Sequence, residues 1–295
     1  MGLVKGYKMD INIILKELDA LFERNEIDQV EPYLLKCLRE AKELEDYGVY
    51  ISICNELVGF YRSVSNYRKS FEVSEDVLLL MEELQLDNTE HFATTLLNVA
   101  TAYRAAGEGE KSYSYYRRAM MIYEQLLDPD DYRFASLYNN MSILLSEQGE
   151  EEKAIAALEK ALLIIENIDL NSIERATTLT NLALLYFKKN KNVEAREKLE
   201  TALQIFEKNE KNTDAHYSAA LAGVGEAYYH MGEYKMSLQS YEKALEEVKK
   251  HFGENESYAL ICTNCSSLCE KLQEKEKAAY YSEKANLILK KVKPS

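Results

Sequence analysis

The chain has 295 residues, with 36 Lys and Arg against 50 Asp and Glu and a formal net charge of −14. That charge disfavours nucleic acid or an anionic membrane surface as the main partner, since both attract basic surfaces. Only 3 Pro and 11 Gly among abundant Leu, Ala, Glu and Lys favour helix throughout, and no apolar run approaches the roughly 18 residues that cross a bilayer.

Residues 1–10, MGLVKGYKMD, lack the apolar stretch of a signal peptide. They read as a tail or expression remnant around Met9, and a soluble cytoplasmic chain is expected. Residues 11–45, INIILKELDALFERNEIDQVEPYLLKCLREAKELE, read as one helical hairpin in poor register with the rest of the chain. Such an atypical end repeat is expected to cap a repeat array.

From residue 48 onward the chain repeats itself. Segments starting at 52, 94, 136, 177, 219 and 260 superpose with a period of 41–42 residues, the first of them least well. Gly107, Gly149 and Gly232 fall in one column; Ala119, Ala161, Ala202, Ala244 and Ala285 fall in another. Six repeats are expected at about 48–88, 90–130, 132–172, 173–213, 215–255 and 256–293. In the second, Leu96, Val99 and Tyr103 share one face of a first helix, and Gly107 suits a left-handed helix end. Ser112, Tyr116 and Ala119 face back from a second helix. In the third, Leu137, Met141 and Leu145 oppose Ala154, Leu158 and Ala161. The small residues permit close crossing. A lone hairpin cannot cover both its apolar sides, so each is closed by the next.

Little along the chain calls for chemistry. Cys262, Cys265 and Cys269 have metal-like spacing, but they occupy the slots of Leu96, Val99 and Tyr103. They are expected to be small core hydrophobes without a fourth zinc ligand. GEGEKS at 107–112 lacks the G-x4-G-K-[ST] spacing after a strand that cradles phosphate. DPDD at 128–131 lacks the ligand spacing of a calcium loop. His91, His216, His230 and His251 are scattered. No catalytic residue, metal or cofactor is expected.

The repeating sequence LLNVATAY followed by SYSYYRRA, and LTNLALLY followed by AREKLETA, resembles the tetratricopeptide repeat: Leu-small-x-x-Tyr, then Ala-x3-Phe-x2-Ala. The period exceeds the usual 34 or so residues and is similar to that of kinesin light chains. The resemblance implies an all-α, right-handed superhelical solenoid of antiparallel helix pairs. It also implies a non-catalytic scaffold that binds a peptide or extended protein segment in a concave groove lined by the first helices.

Asn98, Asn140, Asn181 and Asn264 occupy one slot of four first helices, and Gly223 takes it in a fifth. In tetratricopeptide arrays the similar slot holds ligand backbone, and a carboxamide can both donate to and accept from a peptide unit. The alternative is an amide bracing a neighbouring helix. The register sets Thr94, Thr101, Arg104, Asn139, Ser146, Thr180, Leu184, Phe187, Lys188, Glu226, Tyr229 and His230 near the same face. Arg62, Arg104 and Lys188 suit a carboxylate, whereas Glu147 and Glu226 suit a base. A second functional reading is a cytoplasmic receptor for a short signalling peptide, similar to the repeat domains of Gram-positive quorum-sensing regulators.

Overall fold

The computed structural model describes residues 9–209 and 215–292. Residues 1–8 of the expected tail at 1–10, the end of the fourth repeat and the last three residues lie outside them. The described residues form helices only: α1 Ile11–Glu23, α2 Ile27–Glu43, α3 Tyr47–Ser63, α4 Tyr67–Glu83, α5 Glu90–Ala105, α6 Gly109–Leu126 and α7 Tyr132–Glu147. Then follow α8 Glu151–Ile168, α9 Ile173–Lys188, α10 Asn192–Lys208, α11 Ala215–His230, α12 Tyr234–Phe252, α13 Glu256–Lys271 and α14 Lys275–Val292. The chain is an all-α repeat solenoid of helical hairpins.

Each hairpin turn is built on one left-handed residue. Asn25, Ser65, Gly107, Gly149, Asn190, Gly232 and Gln273 all have φ between 57° and 81°. The amide after each reaches back to the first helix: Glu108 N to Tyr103 O, Glu150 N to Leu145 O and Glu274 N to Cys269 O, at 2.8–2.9 Å. That bond satisfies a carbonyl at the helix end that would otherwise lack a donor. The glycine column marks this conformation in three turns, and the other four carry a side chain there.

Helix starts are equally regular. Thr89, Asp131, Ser172 and Asn255 cap α5, α7, α9 and α13, each accepting an amide of the first turn. Short polar side chains do this because four N–H groups at a helix start have no partner within the helix.

By their internal contacts the residues group into two compact units. One runs up to Ile122 and includes Lys250–Gly253; the other holds Tyr123–Lys249 and the residues from Glu254 on. In the first unit, Ile14, Leu18 and Leu21 of α1 pack with Val30 and Leu34 of α2 and with Val49, Ile53 and Leu57 of α3. In the second, Leu158 of α8, Leu182 of α9 and Ile205 of α10 share a core. Leu245 of α12, Cys262 of α13 and Ala285 of α14 share another.

Small residues set the crossings. Ser70 and Ser237 are fully buried, and their hydroxyls donate to backbone carbonyls of the opposing helix, Val58 O at 3.1 Å and Gly225 O at 2.6 Å. Ala154 and Ala161 of α8 are likewise fully buried. A Cβ on Gly225 would lie 3.0 Å from the Tyr241 ring.

Candidate functional site

In the first unit α3 lies beside α5, in the second α7, α9 and α11 follow one another side by side, and polar pairs join some of them. In the first unit Asn55 of α3 donates to Thr95 Oγ1 of α5 at 3.0 Å and to its own helix at Ile51 O, 3.2 Å. In the second, Asn139 of α7 donates to Thr178 Oγ1 of α9 at 2.8 Å and to Ala135 O at 3.2 Å. Thr95 and Thr178 are fully buried. The same device thus occurs twice, two repeats apart. Sequence reasoning placed Asn139 near the groove and passed over Asn55, Thr95 and Thr178. The signal was an Asn followed 39 or 40 residues later by Thr.

Beside the second pair the surface opens into a groove of about 570 Å³, measured to its open mouth. Its apolar lining comes from Ile143 of α7, Leu158 of α8 and Leu184 and Leu185 of α9. Its polar lining comes from Ser142, Ser146 and Glu147 of α7, Asn181 and Lys188 of α9, and Glu226 of α11. Lys188 Nζ donates to Ser146 Oγ at 3.2 Å. Glu226 Oε1 lies 3.9 Å from His230 Nε2 one turn along α11. The groove therefore offers an apolar floor between a cation and an anion. Among the described residues the Asn181 carboxamide has no hydrogen-bond partner, so its donors and acceptor are left to the opening.

An aromatic row adjoins this groove. His230 stacks on Phe187 with centroids 5.9 Å apart and planes at 17°. Tyr229 meets His230 edge-on at 5.8 Å. Lys271 Nζ stands over Tyr229 and Tyr234 at 5.5 and 5.3 Å. Tyr229 and His230 are exposed, whereas Phe187 is buried.

The Asn column meets four different surroundings. Asn98 donates to Asn55 Oδ1 at 3.0 Å. Asn140 donates to its own helix at Ser136 O, 2.9 Å. Asn264 is hydrogen-bonded to Tyr241, whose ionisation is pushed up chiefly by burial. Asn181 alone of the four lines the groove. Gly223 takes the slot in α11 for a steric reason: a Cβ there would lie 2.8 Å from Thr180 Cγ2.

The other sequence candidates divide by exposure. Thr180 is buried and donates to Ala176 O at 2.8 Å. Thr101 is buried and donates to Leu97 O at 2.9 Å, with Tyr116 Oη at 2.9 Å on its other side. Thr94 is exposed and donates to Glu90 O at 3.0 Å. Arg104 is half-buried and hydrogen-bonded to Tyr116. Cys262, Cys265 and Cys269 are fully buried in the core of the last hairpins, and burial pushes the Cys262 thiol up to about 11. A protonated thiol is neither metal ligand nor nucleophile at neutral pH.

The family model "Tetratricopeptide repeat" matches residues 91–167, 133–208 and 174–250, more than half of the chain taken together. No curated protein matches. Among solved structures, BtubC (BKLC) from P. vanneervenii is similar, with TM-score 0.52 and 20% identity over 80% of this chain and 93% of that one. Cut9, in its APC/C complex with Hcn1, is similar with TM-score 0.63 and 17% identity, over 97% of this chain and 48% of the other. A Rap protein complexed with Competence and Sporulation Factor gives TM-score 0.62 and 15% identity, over 93% of this chain and 75% of that one. These likenesses are of fold, and such arrays are built as protein-interaction scaffolds with extended binding surfaces. By its repeats and by the family match, the chain belongs to the tetratricopeptide repeat family.

Proposed function

We propose that the groove between α7, α9 and α11 binds an extended peptide segment of a partner protein. The observation that carries this reading is Asn181. Its carboxamide stands in an open groove without a partner among the described residues, on an apolar floor between Lys188 and Glu226. A carboxamide can pair with both N–H and C=O of one peptide unit. Leu184 and Ile143 supply the apolar area that makes such a contact worth its desolvation. Lys188 and Glu226, of opposite charge, fix the direction of the bound segment.

The test is a random-peptide selection on the purified chain, followed by affinity measurement on variants. Asn181→Ala should weaken selected peptides by roughly 1 kcal/mol, between five- and tenfold. Lys188→Glu should change which peptides are selected, and the melting temperature of both variants should stay put. Peptides that bind both variants as they bind the parent chain would sink this assignment.

The alternative is a receptor for a short, free signalling peptide. It draws support from the likeness to the Rap protein bound to Competence and Sporulation Factor, which extends over 93% of this chain. Short free peptides that saturate the groove as well as the same sequences within a protein favour the receptor. A need for longer flanks favours the scaffold.

A further inference from the structure

The anion on the wall of the groove can be cancelled from within the chain. Glu226 of α11 is half-buried there. Its Oε1 lies 3.9 Å from Nε2 of His230, one turn further along the same helix. Side chains four residues apart meet on one helix face. The His230 ring is also held from its other sides. It stacks on Phe187 of α9 with centroids 5.9 Å apart and planes at 17°, and Tyr229 meets its edge at 5.8 Å. Phe187 is buried, so the imidazole rests on a fixed surface.

Imidazole is the side chain whose ordinary titration falls between pH 5 and 8. The groups around it keep their charge over that range. Lys188 of α9 donates to Ser146 Oγ at 3.2 Å, and Lys271 of α13 stands over the rings of Tyr229 and Tyr234. Lysine and glutamate stay charged there and tyrosine stays neutral. His230 is therefore the member of this set that changes. With a neutral imidazole, Lys188 and Glu226 face the groove as a balanced pair. With an imidazolium, Glu226 has a cation beside it on its own helix, and the wall turns net positive.

We infer that His230 is a proton-operated control on this groove. At neutral pH Glu226 is open to a Lys or Arg side chain of the bound segment. On acidification protonated His230 takes the carboxylate, and the segment is released. The inference rests on the peptide-binding reading and adds to it the chemistry of one contact and the regulation of that contact.

The experiment uses the full chain and peptides selected on it at about pH 7.5 from a random library without His, so that the ligand brings no imidazole of its own. Each Lys or Arg of a selected peptide is replaced in turn by Gln. The residue held by Glu226 is the one whose replacement weakens binding to the parent chain and leaves binding to Glu226→Gln unchanged. For such peptides, moving to about pH 5.5 should cost roughly three- to fivefold in affinity, the scale of one charge pair at this separation near water. The loss should vanish on His230→Phe, which keeps a ring on Phe187, and on His230→Gln, which keeps a neutral polar group. Both variants should bind like the parent at about pH 7.5. The same loss on either variant, or selected peptides with no basic residue that senses Glu226, would overturn the inference.

If no peptide is selected at all, the peptide-binding reading has failed, and the control is judged on the groove alone. The Glu226 carboxyl carbon resonance is then followed by NMR over the same pH range. A step present in the parent and absent in His230→Phe keeps the His230–Glu226 control; identical curves in the two chains remove it.

Discussion

Ser65 and Gln273 hold left-handed backbone at φ 60° and 63°, in the turn position where Gly107, Gly149 and Gly232 sit. A side chain in that region crowds the following carbonyl by about 1 kcal/mol or more. Ser65→Gly and Gln273→Gly should therefore each stabilise the chain by up to about 1 kcal/mol in urea titrations. Gly149→Ala should destabilise it by a similar amount, and a reversed order would contradict the turn geometry.

Asp131 gives a pH-dependent case at the same scale. It caps α7 and accepts from Arg133 Nε and Nη2, both at 2.8 Å. The Arg133 side chain, chiefly, holds the Asp131 pKa down to about 2 from an ordinary 3.8. A depressed folded-state pKa means the stabilisation is present above pH 3.8 and is lost as pH falls toward 2. Arg133→Ala should raise the pH midpoint of acid unfolding, and it should leave the dependence above about pH 6 unchanged.

At the scale of helices, the crossing of α7 and α8 depends on Ala154 and Ala161, both fully buried. Ala161→Leu should overpack this crossing and cost about 1–3 kcal/mol, measured in urea melts. The braces between first helices are accessible to a double-mutant cycle. Asn139→Ala and Thr178→Val, singly and together, should reveal a coupling of about 0.5–1.5 kcal/mol. No coupling would mean that the two side chains find equivalent partners elsewhere.

These elements also show how far sequence reasoning reaches. The apolar columns, the glycine turns and the alanine crossings were readable because each is local to one hairpin or repeats at a fixed period. Asn25, Ser65, Asn190 and Gln273 hid four of the turns, since their residue types do not announce a left-handed backbone. The Asn column was visible as a column, but its members' surroundings were not. Asn98 finds Asn55 43 residues away, Asn264 finds Tyr241 on another hairpin, and Asn181 finds no partner among the described residues. What a carboxamide meets on its neighbouring helix is a tertiary fact. Gly223 illustrates the same point: its reason is the Thr180 methyl, which no pattern within α11 reveals.

For the whole molecule, nearest-neighbour stacking predicts stability that is graded along the chain rather than uniform. We expect the hairpin α1–α2 to act as an end cap. Its amides should exchange hydrogen faster than those of residues 135–205, which have repeats on both sides. Equal protection throughout would remove the cap assignment. No helix of the described residues is long and apolar enough to cross a membrane.

The paired Asn–Thr braces bear on how such a gene can change length. Asn55 meets Thr95, and Asn139 meets Thr178, whereas the intervening repeat carries Leu97 and Leu137 in the corresponding positions. Recombination that excised residues 90–131 would set the Asn55 amide against Leu137, removing its Thr95 partner and leaving it only Ile51 O of its own helix. Excision of residues 90–172 would instead deliver Thr178 to Asn55 and restore the match. The heritable module is then a pair of hairpin repeats, and shortened genes that still yield folded protein should differ from this one by even numbers of repeats.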